Sequence, residues 1–401
     1  MTSRNRNELA SYLSDLSPVS THSHHLPDGR LADMDLAKLL TNSYVSWRGV
    51  PVGNTVEEHA AFLDKVRHTS SFVWLERSIQ DLYGVEERIG ADNWSGISGR
   101  IQVAHADPDW HLRLLSEKCR YAGILLDCYW NPGDNNGHPE LFQPVFRIDP
   151  YLHAYDVEEK THDGTSMVSL YGSHPFASLN EVEDTLRAKI KERKAAGCVG
   201  LKSAIAYERD IAFRMVGDSA AGKALRKGTA ANAQEKRDFQ DWVFLACCRI
   251  AAEEGLPFQV HTGLGQLEGT RAMGLREAIV ANPSTRFVLF HCSFPWTDDV
   301  LALLHNQPNV YPDLCWLPLL STSTAARTLR ALIDTGTADK VCWGCDTWTG
   351  EESYGALLAA RHVIAQTLTD LLEDDWLDME AAKRLGKNIL HDNAERLYGV
   401  G

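Results

Sequence analysis

The chain has 401 residues, of which 44% are hydrophobic and 23% are charged, a composition typical of globular proteins. Forty Lys and Arg residues stand against 54 Asp and Glu residues, which gives a formal net charge of -14 at pH 7. This sign argues against a protein that binds nucleic acid by neutralising phosphates, and the length excludes a mini-protein held together by disulfides.

The start of the chain and its cysteines indicate a cytoplasmic protein that does not enter a membrane. Residues 1–18 lack the apolar core of a secretory signal, and no apolar run approaches the roughly 18 residues of a membrane span. The nine cysteines are scattered, and the CxxC pair of Cys342 and Cys345 has no second pair to complete a zinc site. We expect the cysteines to be reduced and mostly buried.

Eight short apolar runs recur along the chain, separated by segments with helical periodicity. They cover residues 18–25, 122–130, 143–149, 198–207, 257–263, 286–293, 309–316 and 340–348. Apolar strands that alternate with helices are typical of a parallel sheet covered on both faces. Eight such units predict a closed (β/α)₈ barrel, and we interpret residues 1–401 as one elaborated domain that forms a homo-oligomer, most simply a dimer.

The spacing of the runs is uneven at two places. Residues 28–120, between the first two runs, have apolar positions three and four residues apart, which predicts a mainly helical insertion. Residues 150–179, after the third run, contain His153, His162 and His174 among Gly, Asp and Ser residues. We expect a long loop there, over the end of the barrel where the active site lies.

Polar residues with metal-binding or catalytic side chains end several of the runs. His22 and His24 end the first run, His261 ends the fifth, His291 lies in the sixth, and Asp346 ends the eighth. The carboxyl ends of barrel strands converge on one mouth, and two histidines separated by one residue point the same way from a strand. Imidazoles and a carboxylate are ligands that zinc and similar divalent ions select. The pattern therefore predicts a metal centre.

These motifs resemble the amidohydrolase superfamily. The order THSHH (21–25), PFQVHTG (257–263), FVLFHCSFPW (287–296), WGCDTW (343–348) and NILHDNAERLYGV (388–400) is similar to the amidohydrolase-related branch that contains aminocarboxymuconate semialdehyde decarboxylase. The segment GLKSAIAYER (200–209) looks more like the amidohydrolase-like part of some glutamine-synthetase-related fusion proteins. Two departures stand out: Ser20 and Thr21 occupy the place of the acidic residue that often precedes HxH, and Cys345 replaces the usual Ser before Asp346.

The resemblance implies a role for each of these residues. His22, His24 and His261 would bind one divalent metal, most simply zinc, and Asp346 would be a further ligand and the proton acceptor. His291 would lie beside the metal, where it could bind a second ion, polarise the substrate or hold the attacking water.

Lys202, late in the fourth run, has three interpretations. In some branches of the superfamily a lysine at this strand is carbamylated and bridges two metals, which would put His261 and His291 on the second ion. Alternatively, Lys202 is an ammonium group that binds a substrate carboxylate, which is the interpretation we favour, or it pairs with a buried acid such as Asp127 or Asp149.

Four further residues are candidates for substrate binding. Arg147 ends the third run and could hold a carboxylate through two hydrogen bonds, and Tyr207 and Arg209 could do so from the loop after Lys202. Trp316 is one of four tryptophans at run ends, which would give an aromatic wall. For Arg147 and Arg209, an ion pair inside the protein or a surface position is an equally good interpretation.

Four functions fit this sequence. The first is a metal-dependent hydrolase that cleaves a C–N or C–O bond of a small carbonyl compound, with Asp346 as the general base. The second is a non-oxidative decarboxylase, which needs a substrate carboxylate held near the metal. The third is an isomerase of the uronate type, favoured by the long insertion. A non-catalytic barrel is the fourth, and the presence of the whole ligand set argues against it.

Overall fold

The computed structural model describes residues 2–172 and 175–401. Seven parallel strands form one sheet in which each strand pairs with the next along the chain. They are β1 (Val19–Ser23), β2 (Gly123–Leu126), β3 (Phe142–Arg147), β4 (Gly200–Ser203), β5 (Phe258–Val260), β6 (Phe287–Leu289) and β7 (Val310–Pro312). All strand residues except Gln143 and Tyr311 are buried, as expected for a parallel sheet covered by helices.

The eighth predicted strand is irregular, and it closes the barrel. On one side, Cys342 forms a single parallel bridge with Asp313, which follows β7. On the other side, the N–H of Thr21 donates to the carbonyl of Trp343 at 3.1 Å, and the N–H of Asp346 donates to the carbonyl of His22 at 2.9 Å. The prediction of eight regular strands is corrected here because Asp346 has a φ of 56°, which turns the backbone out of the extended conformation.

The (β/α)₈ barrel fold is confirmed, with helices before, between and after the strands. The helices up to β2 are α1 (Thr2–Asp15), α2 (Leu36–Thr41), α3 (Val56–Val66), α4 (Ser70–Tyr83), α5 (Trp94–His105) and α6 (Trp110–Arg113), the last followed by a π-helical turn (Leu114–Lys118). Those from β3 to β6 are α7 (Asp149–Leu152), α8 (Met167–Tyr171), α9 (Leu179–Ala195), α10 (Asp218–Lys227), α11 (Ala233–Glu254) and α12 (Arg276–Ala281). The remainder are α13 (Thr297–Asn306), α14 (Leu317–Leu320), α15 (Thr322–Asp334), α16 (Gly350–Glu373), α17 (Met379–Lys387), a π-helical turn (Asn388–Asp392) and α18 (Asn393–Tyr398).

The long segment between β1 and β2 contains helices α2 to α6 and packs around an apolar cluster of its own. The buried members of this cluster come from residues 26–101, among them Leu39, Phe62, Phe72 and Trp94. A larger cluster packs between the strands and their surrounding helices, and the strand residues that alternate with it, such as Leu125, Val145 and Val288, form a third cluster inside the barrel. We call residues 28–120 the insertion.

The segment after β3 holds two short helices, α7 and α8, and the loop between them. His153 and His162 lie in this loop, whereas His174 lies outside the described residues. All nine cysteines are free and buried, which confirms the expected burial. None of the helices in the described ranges is long and apolar enough to cross a membrane.

Glu351, at the start of α16, joins the insertion to the barrel. Its Oε1 accepts hydrogen bonds from Nε2 of His105 at 2.8 Å, the hydroxyl of Tyr83 at 2.6 Å and Nε1 of Trp110 at 3.0 Å. Burial opposes ionisation of Glu351, but the hydrogen bond from His105 and the others outweigh it and lower its pKa to about 2. The pKa of His105 is raised despite burial because Glu351 faces it. The two side chains therefore form a buried ion pair.

Replacing Glu351 with Ala should lower the free energy of unfolding by about 3–5 kcal/mol, because the change leaves a buried imidazolium and two buried donors without a partner. Urea unfolding followed by circular dichroism measures this. Glu373→Ala, at the exposed end of the same helix, is the matched control and should stay within about 0.5 kcal/mol of the parent. The pKa of Glu351 is depressed, so its contribution is present above its ordinary value of 4.5 and is lost as the pH falls towards about 2. A difference between the two variants that does not shrink over this range would contradict the ion pair.

Candidate metal centre

His22, His24 and Asp346 meet at the carboxyl end of β1. His22 belongs to β1 and His24 follows it directly. The N–H of His24 donates to the carbonyl of Thr347 at 3.0 Å, so residues 340–348, which we call the closing segment, run alongside both histidines. This approach needs a glycine at position 344, since a Cβ there would lie 2.7 Å from the backbone nitrogen of His22. The closing segment thereby places Asp346 next to the two imidazoles.

The three side chains are arranged as a set of metal ligands. Oδ1 of Asp346 lies 3.3 Å from Nε2 of His24 and 3.9 Å from Nε2 of His22. Their ligand atoms all lie within 4.8 Å of one another, and all three residues are buried. Oδ1 of Asp346 has no hydrogen-bond donor among the described residues, although a buried carboxylate oxygen without a partner is costly.

Hydrogen bonds fix which nitrogen of each histidine carries the proton. Nδ1 of His22 lies 3.1 Å from Oε1 of Gln259, and the orientation of this amide is set because its Nε2 donates to the carbonyl of Thr21. Nδ1 of His24 donates to the carbonyl of Asp127 at 2.9 Å. A neutral imidazole has one donor and one acceptor nitrogen, so both Nε2 atoms present lone pairs towards Asp346.

The hydrogen bonds of His291 likewise determine which nitrogen of His261 carries the proton. Nδ1 of His291 donates to the carbonyl of Cys315 at 2.8 Å, so Nε2 of His291 is an acceptor. It lies 3.1 Å from Nδ1 of His261, which must then be the donor. The lone pair of His261 therefore resides on Nε2, a buried atom with no hydrogen-bond partner among the described residues. His261 lies outside the group whose ligand atoms fall within 4.8 Å, but its free nitrogen is ready to accept a cation.

The charge states of these groups suit a cation. Burial holds the pKa of His22 and that of His261 well below their ordinary range, and it lowers the pKa of His291 to about 4. Burial alone would raise the pKa of Asp346, but positive charge at His24 and His22 outweighs it and holds this pKa well below its ordinary value; when the rings are neutral, a bound cation would supply that charge instead. Neutral imidazoles around an ionised carboxylate are the protonation states that metal binding requires. The residues present therefore fit a divalent metal ion.

Lys202 is a buried ammonium group that pairs with none of the carboxylates that the structure describes. It lies in β4, one residue before its end, with 2% of its surface exposed. Its Nζ lies 3.8 Å from the centre of the Phe290 ring, and it makes no ion pair within 4.0 Å in the part of the chain that the structure describes. Pairing with Asp127 or Asp149 is thus not observed, because Asp127 is bound by Arg147, and Asp149 accepts from Ser203. Burial lowers the pKa of Lys202 to about 8, so the group stays mostly protonated at neutral pH.

Arg147 and Arg209 are bound by carboxylates of the protein itself. Nε of Arg147 donates to both oxygens of Asp127 at 3.2 and 3.1 Å, and its Nη1 donates to Asp163 at 2.8 Å. Its donors are therefore directed at the protein, although the residue borders the cavity. The expectation that Arg209 binds the substrate is corrected, because Arg209 is not among the residues that line the cavity. Its Nη2 pairs with Asp241 at 2.7 Å. Both arginines are therefore held in ion pairs inside the protein, which is one of the two interpretations that the sequence allowed.

A cavity of about 300 Å³ opens above the candidate ligands. Its walls combine residues from the barrel, the insertion and the loop after β3. Besides His22, His24, His261, Asp346 and Lys202, it is lined by Tyr44, Trp47, Tyr129, Arg147, His162, Asp163, Ala204, Tyr207 and Trp348. Trp348 stacks on His24 with ring centres 5.6 Å apart, and Tyr207 lies 4.4 Å from His261. Trp316, expected in the wall, lies behind it, packed between His291 and Tyr44.

Sequence reasoning missed several residues of this site. Gln259 stands two residues before His261, and Asp127 lies within the second apolar run, where it was considered only as a partner of Lys202, so both positions were visible as polar residues in strand runs. Tyr44 and Trp47 come from the insertion, whose path across the mouth no periodicity fixes. Their contribution follows only from the tertiary structure.

Comparisons with known proteins show which family the chain resembles. Residues 172–400, more than half of the chain, match the amidohydrolase family, and this region contains His261, His291 and Asp346. The protein fluG of Emericella nidulans is 25% identical over 219 residues, which cover 50% of this chain and 25% of fluG. The match therefore spans about a quarter of the length of fluG.

Solved structures similar to this chain share its fold over nearly its whole length. A Lactobacillus casei protein named as a metal-dependent hydrolase has a TM-score of 0.71 at 16% identity, with 98% of this chain and 97% of that chain covered. A glucuronate isomerase of Caulobacter crescentus has a TM-score of 0.78 at 16% identity, covering 99% and 94%. A uronate isomerase of Thermotoga maritima has the same score and identity, covering 98% and 97%.

Replacing His24 with Ala should weaken zinc binding by more than about 100-fold, since even groups that only orient a metal ligand contribute roughly 10–100-fold. A chelator competition assay gives the dissociation constant, and mass spectrometry gives the ions bound per chain. His305→Ala, in exposed surroundings on α13, is the control and should bind zinc like the parent. Unchanged zinc affinity in His24→Ala would remove His24 from the ligand set.

Proposed function

Because this chain belongs to the amidohydrolase family, a family of metal-dependent enzymes, we propose that it is a hydrolase that cleaves a C–N or C–O bond of a small carbonyl compound bearing a carboxylate. The observation that carries the proposal is the position of Asp346. Its carboxylate is buried, ionised and adjacent to the lone pairs of His22 and His24, which suits a group that both binds a cation and accepts a proton.

A single divalent cation fits the donor set best. His22, His24 and Asp346 would hold it, with Nε2 of His261 as a further ligand, and three or four nitrogen and oxygen ligands suit zinc. Such an ion supplies Lewis acidity, which makes water a nucleophile near neutral pH and polarises a carbonyl group. Lys202 remains an ammonium group in this proposal.

The two oxygens of Asp346 take different parts. Oδ1 faces His22 and His24, whereas Oδ2 faces His291, whose Nε2 lies 3.9 Å away. Oδ2 is thus the proton acceptor as water attacks the carbonyl carbon, and the same oxygen returns the proton to the leaving nitrogen or oxygen when the bond breaks. Tyr207, whose pKa is raised by burial, remains neutral and can donate a hydrogen bond to the substrate from the cavity wall.

Lys202 supports a carboxylate-bearing substrate. It borders the cavity and lacks an ion-pair partner among the described residues, whereas the neighbouring cation Arg147 is neutralised by two carboxylates. A buried ammonium group without a partner is costly, and a substrate carboxylate would relieve that cost. Aromatic rings of Tyr44, Trp47 and Trp348 line the cavity around the remaining part of the substrate.

The same lysine also favours a second candidate, a metal-dependent decarboxylase. Decarboxylation needs a carboxylate held close to the metal centre, and Lys202 is placed to hold one. A third reaction, the isomerisation of a sugar acid, is suggested by the isomerases of similar shape. All three reactions use the same ligand set, so they are separated by their products.

An isotope experiment separates the three reactions. The zinc-loaded protein is incubated in H₂¹⁸O with carboxylate-bearing lactones, esters and amides, aromatic carboxylates and uronic acids, and products are analysed by mass spectrometry. The proposal expects one ¹⁸O atom in the newly formed carboxyl group of a cleaved substrate. Release of carbon dioxide with a solvent proton on the substrate carbon would instead establish the decarboxylase. An uncleaved product of unchanged composition with a moved carbonyl would establish the isomerase.

Replacing Asp346 with Asn should reduce kcat by at least about 100-fold, the contribution typical of general acid–base catalysis. The near-isosteric change should leave the circular dichroism spectrum unchanged. Asp339→Asn, at an exposed position before the closing segment, is the control and should keep full activity. Turnover near that of the parent in Asp346→Asn would refute the role given to Asp346.

Replacing Lys202 with Met should raise KM for a carboxylate-bearing substrate by roughly 30-fold, corresponding to about 2 kcal/mol for a lost hydrogen bond to a charged group. The corresponding amide or methyl ester of the same substrate should show a much smaller change. Steady-state kinetics on the matched pair measures the difference. Equal losses for both substrates would mean that Lys202 does not bind the carboxylate.

A further inference from the structure

The geometry points to a second cation site beneath the first, formed by His291, Cys315 and Asp346, which we propose binds a thiolate-preferring divalent ion such as zinc, cobalt or cadmium. The ligand atoms of these residues all lie within 4.8 Å of one another, and all three residues are buried. This site differs from the second site that the sequence suggested, which would use a carbamylated Lys202.

Asp346 is oriented as a bridge between the two sites. Its Oδ1 lies 3.3 Å from Nε2 of His24, whereas its Oδ2 lies 3.9 Å from Nε2 of His291. The two oxygens thus face two different groups of ligands. A carboxylate has enough lone pairs to bind one ion through each oxygen.

The backbone holds Cys315 rigidly beside His291. The carbonyl of Cys315 accepts the hydrogen bond from Nδ1 of His291 at 2.8 Å, and the N–H of Cys315 donates to Oδ1 of Asp313 at 2.8 Å. The thiol makes no hydrogen bond among the described residues, whereas five other cysteines donate one: Cys128, Cys198, Cys292, Cys342 and Cys345. Cys315 therefore combines a fixed position with an unused sulfur.

The surroundings of Cys315 explain why its thiol would lose its proton only when a bound cation supplies a positive charge. Burial, together with the nearby Asp346 and Asp313, raises the pKa of Cys315 well above its ordinary value. A thiolate next to two acids is unfavourable by itself, and a divalent ion supplies the positive charge that stabilises it. Thiolate and imidazole together select zinc-like ions over calcium or magnesium.

His291 sets the order in which the two sites fill. Its Nε2 accepts a hydrogen bond from Nδ1 of His261 at 3.1 Å, and this bond must be given up before Nε2 can bind an ion. The first site has no such competitor at Nε2 of His22 or His24. The second ion therefore binds more weakly than the first.

Filling of the second site would inhibit the enzyme. This consequence rests on the proposed function, in which Oδ2 of Asp346 accepts the proton of the attacking water. An ion bound at Oδ2 would make this oxygen a weaker base, so it would accept the proton poorly. The cation site itself requires only the geometry of the three residues.

Cobalt titration of the metal-free chain tests the site without a substrate. The first equivalent should produce only weak visible bands from nitrogen and oxygen ligands. The second should add an intense near-ultraviolet thiolate-to-cobalt band, and mass spectrometry should count two ions per chain. Saturation at one ion without this band would overturn the second site while leaving the metal centre of the proposed function intact.

Variants assign the band and keep the test decisive. Cys315→Ala and Cys315→Ser should lose the band yet still bind the first cobalt ion, which also shows that they fold. Cys345→Ser is the matched control, since Cys345 is also buried beside Asp346 but donates to the carbonyl of His22, and it should keep the band. In His24→Ala, a band that persists shows that the second site stands even if the first assignment fails. A band that survives in both Cys315 variants would overturn the proposal.

Discussion

The ionised carboxylate of Asp346, buried at the mouth of the barrel, is the constraint on which the rest of the site depends. A buried anion is stable only if cations or oriented donors surround it, and here the nearest groups are imidazoles whose donor nitrogens point away. The backbone is shaped to hold it, because the closing segment gives up regular pairing and turns at Asp346. The irregularity that removes the eighth strand is thus the feature that presents the carboxylate.

Partners outside the ligand set extend this constraint into the barrel core. Gln259 and the carbonyl of Asp127 orient His22 and His24, and the carbonyl of Cys315 orients His291. Each partner fixes one ring nitrogen as a donor, and so determines where the lone pairs lie. The strands of the barrel therefore specify the protonation pattern of the centre as well as the positions of its side chains.

Much of this arrangement was predictable from the sequence, for a physical reason. Strand ends of a barrel converge, so His22, His24, His261 and Asp346 could be brought together from their places at the ends of apolar runs. Side-chain pairing could not be predicted in the same way. Arg147 and Lys202 lie side by side near the ends of neighbouring strands and look alike as cations in sequence, yet Asp127 and Asp163 neutralise only Arg147. The backbone turns at His291 and Asp346 also escaped prediction, because a positive φ is uncommon for any residue other than Gly, even for His and Asp, which adopt it more often than most.

The contacts of Glu351 and Glu352 with the insertion bear on which parts of this protein can be substituted independently. The reacting groups belong to the barrel, whereas Tyr44 and Trp47 of the cavity wall belong to the insertion, which has its own apolar core. Glu351 fastens three insertion helices, and Glu352 accepts a hydrogen bond from the backbone of Tyr44 at 2.7 Å. Two adjacent residues thus connect the aromatic part of the cavity wall to the segment that carries Asp346. A substitution in the insertion can therefore reshape the cavity wall without altering the ligand set, which lies entirely in the barrel.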